Sequence, residues 1–122
     1  MAVLLSSYRE AVLFKPEKFN PVAIAGSSRL KAVLTCLEPG QFIPVHRPNV
    51  DMVLLVLEGE GQLVAGDREE VASPGTTVFV PAGEARGLKA VTRLVALHVV
   101  SPPPTEADHV EVAARLKQGA WK

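Results

Sequence analysis

Three things are scarce in this chain of 122 residues: net charge, cysteine and uninterrupted apolar sequence. Its 13 Lys and Arg are balanced by 13 Asp and Glu. No long-range field therefore favours nucleic acid or an anionic membrane, and no run of like charge marks a tail. Neither partner is expected. The lone cysteine, Cys36, has no intramolecular disulfide partner, and the N-terminal MAVLLSSYRE lacks the basic start and apolar length of a secretory signal. A cytoplasmic location is the expectation. No apolar stretch nears the roughly twenty residues that cross a bilayer, since the run from Met52 to Leu57 stops at Glu58-Gly59.

What the chain does have is punctuation. Nine glycines and ten prolines are scattered along its length, which disfavours long helices and divides it into short strands. Leu30 to Leu37 reads as one strand, closed by Glu38-Pro39-Gly40, where proline cannot donate to a ladder and glycine can take positive φ. Further strands are read over Val53 to Leu57, Gln62 to Ala65 and Glu69 to Ala72, joined by short turns and so expected as antiparallel neighbours. Thr76 to Val80 and Val91 to Val100 complete the set, at the spacing of a sandwich or barrel. Ala11 to Phe14 and Val22 to Ala25 read as edge strands. Only the C-terminal end looks helical: Thr105 can cap, Asp108 suits a first turn, Val112, Ala113 and Leu116 share a face, and Gly119 can stop the helix. This helix is expected on the outside of the barrel. One domain results, with 1–29 supplying edge strands, 30–100 the barrel and 101–122 the tail and helix.

The stretch PGQFIPVHRPNVDMVLLVLEGEG places Gly40 six residues before His46 and ends the run at Gly59, and Gly75, Pro81 and Gly83 follow at a second fixed spacing. Over about Leu30 to Val100 these positions resemble the two motifs of the cupin family. The resemblance implies an all-β, double-stranded β-helix or jelly-roll barrel with a short C-terminal helix, in which both motifs line a central pocket. Metal-binding cupins hold their ion with three histidines and a glutamate. At those places this chain has His46, Pro48, Met52 and Arg86, and the motif-two asparagine position is Ala90. One imidazole is a poor cage for a divalent ion, and Arg86 would add a fixed positive charge. The metal-binding motif is degenerate, so no metal and no cofactor is implied. Asp51, Cys36 and His98 are the donors that would have to rebuild a site; in the plainer reading Asp51 is a solvated turn residue, Cys36 a small buried apolar group, and His98 a hydrogen-bonded strand residue.

The expected ligand-binding residues are His46, Arg86, Met52, Leu54, Val56 and His98. Arginine offers a forked donor to a carboxylate or phosphate, histidine a titratable ring, and the remainder apolar wall. A small anionic molecule is the guest these types suit, with Arg86 keeping the empty pocket's His46 neutral. Two other classes stay open: a metal-dependent enzyme of dioxygenase or sugar-isomerase type with non-standard ligands, and a dimeric interaction module without a ligand. A homodimer is expected because Val53, Leu55 and Leu57, which alternate with the pocket-facing residues, are also apolar. Asp51 or Glu84 could instead pair with Arg86 at the surface, and the His46 ring could serve only to pack against backbone.

Overall fold

The computed structural model describes residues 2–122. A 3-10 turn over Tyr8–Ala11 leads into nine strands among the described residues: β1 (Asn20–Gly26), β2 (Lys31–Leu37), β3 (Phe42–His46), β4 (Asp51–Glu58), β5 (Gly61–Ala65), β6 (Arg68–Ala72), β7 (Thr77–Val80), β8 (Arg86–Ala90) and β9 (Leu94–Ser101). Helix α1 (Glu106–Gln118) follows. The strands form two antiparallel sheets, one of five strands in the order β1-β2-β9-β4-β7 and one of four in the order β3-β8-β5-β6. This is the jelly-roll barrel the motifs imply.

Alternation sets the inside from the outside. Along β4, Met52, Leu54 and Val56 are buried and belong to the core between the sheets, together with Leu63 of β5, Val80 of β7, Leu88 of β8 and Ala96 of β9. The opposite phase of β2 and β9 carries Leu34, Cys36 and Val95 into a second cluster outside the five-stranded sheet. There Tyr8, Val12 and Phe14 of the N-terminal segment cover Leu57 and Leu97. Tyr8 anchors that segment by donating its hydroxyl to Glu58. Cys36 is therefore buried away from the barrel interior, as a small apolar group.

Several expectations are corrected. Ala11 to Phe14 is not a strand; it ends the 3-10 turn and packs as an extended cover. The strands β4 and β5, though joined by a short turn, lie in different sheets. The turn at Gly59 carries the chain across the barrel at φ +84°, where an added Cβ would sit 1.8 Å from the Arg93 carbonyl oxygen. Only glycine fits there. The last strand begins at Leu94 rather than Val91, because the amides of Val91 and Thr92 turn back to the Glu60 carbonyl. Two strands, β3 and β8, show no apolar run in sequence. Pro44 interrupts the first and is tolerated because β3 is a sheet edge; Arg86 and Lys89 interrupt the second.

The helix, with no buried residue, lies on the outside of the barrel. It packs against β3 and turns His109, Val112, Ala113 and Leu116 toward the cavity between the sheets. Asp108 fixes its start, accepting from the amides of Thr105 at 2.8 Å and Asn49 at 3.0 Å. Gly119, at φ +69°, ends it in the left-handed region. The tail then runs along β3, where the Val45 amide donates to the Trp121 carbonyl at 2.9 Å and the Trp121 ring meets Phe42 edge-on at 6.2 Å. No helix among the described residues is long and apolar enough to cross a membrane.

Candidate functional site

Between the two sheets and under α1 lies a cavity of about 360 Å³. Its walls are mainly apolar: Phe19, Val33, Ile43, Val50, Met52, Leu54, Leu63, Leu88, Val100 and the helix face of Val112 and Leu116. The polar exceptions are Lys18, Lys31, Arg86 and all three histidines of the chain, His46, His98 and His109. No aspartate or glutamate is among the lining residues.

Five of the six expected binding residues meet here. His46, Met52, Leu54, Arg86 and His98 all line the cavity. Val56 does not: it faces the same interior but packs into the closed core below, with 1% of its surface exposed. The alternation of β4 gave its direction correctly and could not give its depth. Lys18, Lys31 and His109 were missed. His109 had a usable signal, since it lies three, four and seven residues before Val112, Ala113 and Leu116 and so shares their helix face.

Arg86 is the least expected side chain in its behaviour. It is 4% exposed and pairs with neither Asp51 nor Glu84. From β8 in the four-stranded sheet it crosses to the other, where Nη2 donates to the carbonyls of Val50, just before β4, at 2.8 Å and Pro81, just after β7, at 3.0 Å. Nε and Nη1 are buried without a partner. Burial lowers its pKa, opposed by the charges of Asp51, Asp108 and Glu84, which stand outside the lining. A guanidinium so placed still keeps its proton at ordinary pH. The expected fork to a carboxylate is not free, because Nη2 is already engaged; Nε and Nη1 remain as single donors.

His46 is paired with Arg86 across β3 and β8. Its Nδ1 lies 2.7 Å from the Pro44 carbonyl oxygen, which can only accept, so the neutral ring carries its proton on Nδ1 and keeps a lone pair on Nε2. Burial pushes its pKa down, the Pro44 carbonyl opposes this, and Arg86 adds to the lowering. His98 lies on β9 between Val33 and Leu54 on the flanking strands. Its Nδ1 is buried with no partner, and burial, with Lys31, Arg86 and His46 nearby, pushes its pKa down to about 4. It is not the hydrogen-bonded strand residue of the plainer reading.

The donor set does not fit the metal of the family's motif. Pro48 has no donor to offer, and Arg86 brings a cation where a ligand would stand. Of the three donors that might have rebuilt a site, only His98 turns inward. Cys36 faces the outer cluster, and exposed Asp51 accepts from the Ala82 amide at 2.8 Å. Among the described residues, no group of three or more His, Cys, Asp or Glu converges as an ion would require.

Fold and cavity together define a double-stranded β-helix barrel with a central pocket. The cupin domain model matches residues 33–100, more than half of the chain, and the protein belongs to the cupin family. Among solved structures, the TT1209 protein from Thermus thermophilus is similar at 30% identity over 80% of this chain and 96% of that one, with a TM-score of 0.74. An RmlC-like cupin from Desulfovibrio desulfuricans is similar at 34% identity over 77% and 92%, with a TM-score of 0.70. The polyketide cyclase RemF from Streptomyces resistomycificus, at 24% identity over 71% and 67% and a TM-score of 0.63, shares the fold alone. No curated protein matches the chain.

Proposed function

We propose that this cupin binds a small organic anion with an apolar body in its barrel, without the usual metal centre. The observation that supports the reading is the sign of the lining: Lys18, Lys31 and Arg86 with three histidines, and no carboxylate. A fixed guanidinium in an apolar pocket is costly to bury, and an anion that accepts from its unpartnered Nε or Nη1 would recover part of that cost. The apolar wall of Met52, Leu54 and Leu88 would take the rest of the molecule. Neutral His46 presents Nε2 as an acceptor, which suits a protonated group on the same ligand.

A thermal-shift screen tests this directly, comparing apolar carboxylates and phosphates with neutral amides or alcohols of the same shape. Anions should stabilise the protein and their isosteres should not, and Arg86→Gln should abolish the difference. Stabilisation that ignores charge, or that survives the substitution, would count against it. Elemental analysis of protein purified without chelator provides the opposing test, because a stoichiometric transition metal would favour the enzyme reading instead.

A second reading concerns assembly and sits beside the first. Val53 of β4 is 48% exposed and pairs across the sheet with Phe79 of β7, which is 61% exposed. The N-terminal segment covers Leu57 but leaves this pair in solvent. We infer a homodimer that buries it against a second copy. The lone thiol of Cys36 accords with a reducing, cytoplasmic setting for that dimer.

A further inference from the structure

The polar groups of the cavity are not gathered at one place. The Arg86 head is held by the carbonyls of Val50 and Pro81, at the β4 and β7 side of the five-stranded sheet. His98 lies on β9, one strand over from β4, and Lys31 on β2, two strands over. With neighbouring strands roughly 5 Å apart, those offsets are roughly 5 and 10 Å. Lys31, Val100 and Met52 form one cross-strand row, and Val33, His98 and Leu54 the next, so Lys31 and His98 are diagonal neighbours on the same inner face. Apolar Met52 and Leu54 stand between them and the β7 side.

Resting on the anion-binding reading, we infer that the cavity has a second anion subsite at Lys31 and His98, and that its ligand is a dianion with an apolar linker. The first carboxylate belongs at Arg86, the second at the Lys31 ammonium and the His98 ring. Two features carry this. His98 Nδ1 is buried and has no protein partner, which is costly for a polar atom unless a ligand or water satisfies it. The lining also holds Lys31 and Arg86 with no carboxylate among its residues, so a single negative charge at Arg86 leaves Lys31 without a counter-charge in the lining and a second, at the far end, supplies one. An ammonium beside a neutral imidazole supplies donors to a carboxylate from both groups. Lys31 is half-buried and lines the cavity, so its ammonium is within reach of a ligand held beside His98.

Titration calorimetry on the full chain at neutral pH can test this with linear diacids from glutarate to pimelate, each against the monoacid of equal carbon count. At least one diacid should bind tighter than its monoacid by about tenfold or more. In Lys31→Gln and in His98→Leu that ratio should fall to within about twofold. Lys31→Gln changes a half-buried position and serves as the readout if His98→Leu melts without cooperativity. Diacids no tighter than monoacids, or a ratio that persists in Lys31→Gln, would overturn the second subsite and leave the anion-binding reading standing. Failure of both acid series to bind would remove that reading, and this inference with it.

Discussion

Arg86 Nη2 donates to the Val50 carbonyl at 2.8 Å, across 36 residues of chain and from one sheet to the other. The same nitrogen holds the Pro81 carbonyl. A residue at a position where the family's motif has a metal-binding histidine is here a brace between the sheets, and its remaining donors are buried without a partner.

That brace has a measurable stability. Arg86→Met keeps the aliphatic length but leaves two carbonyls without their donor, while relieving the burial of a charge. A net loss of roughly 1–3 kcal/mol is expected, because an unsatisfied buried acceptor costs about that much. Urea denaturation should show the lowered midpoint, and an unchanged midpoint would mean that the carbonyls find water instead.

His98 predicts how stability varies with pH. Its pKa is about 4 in the fold and roughly 6.5 unfolded, so between these values the unfolded chain binds the extra proton. Stability is therefore complete above about pH 6.5 and is lost as pH falls toward 4, by on the order of 3 kcal/mol. Lowered His46 adds a loss of the same sign. Denaturation midpoints followed from pH 7 to 4 should flatten in His98→Leu, leaving the losses at His46 and, near pH 4, at Asp108; an equally steep profile would refute the assignment.

Two glycines with the same sign of φ should respond differently to alanine. At Gly59 the new Cβ would meet the Arg93 carbonyl oxygen at 1.8 Å, whereas at Gly75, φ +94°, nothing lies within 4 Å. Gly59→Ala should cost more than about 3 kcal/mol, as severe backbone clashes do, and Gly75→Ala only about 1–2 kcal/mol from backbone strain. Melting temperatures of the pair would give the comparison.

The single tryptophan reports on the C-terminal tail along β3. Trp121 meets Phe42 edge-on, and its carbonyl accepts from Val45. Removing the ring in Phe42→Ala should loosen the tail by roughly 1–2 kcal/mol. Tryptophan emission should then shift to the red. Emission unchanged in the variant would show the tail held by other contacts.

The proposed dimer puts the exposed pair on β4 and β7 at its interface. Val53→Thr with Phe79→Ser keeps the strands and removes the apolar patch, so sedimentation should move from dimer to monomer. A wild-type monomer, or a variant that still dimerises, would place the interface elsewhere or remove it.

Much of the barrel was legible because its signals are local. The glycines and prolines of the two motifs mark turns that any chain of this spacing needs, and the alternation of Met52, Leu54 and Val56 gives their common side. His98 shares its phase with Ala96 and Val100, which made its inward side readable too. The edge strand β3 was hidden by Pro44, and β8 by its arginine and lysine, because an edge and a polar pocket wall both relax the apolar pattern that marks a strand.

Turn chemistry and side-chain period determined that this chain is built of short strands, and the resemblance of its motifs to the cupin pattern implied the barrel and the loss of most metal donors. Only the tertiary structure decided where the polar groups went. Arg86 reaches carbonyls 36 and five residues away in sequence, His109 arrives from a helix that follows the barrel, and Lys31 and His98 meet through strand pairing. Such contacts depend on which strands lie side by side, and non-local pairing leaves no mark in the local order of residues.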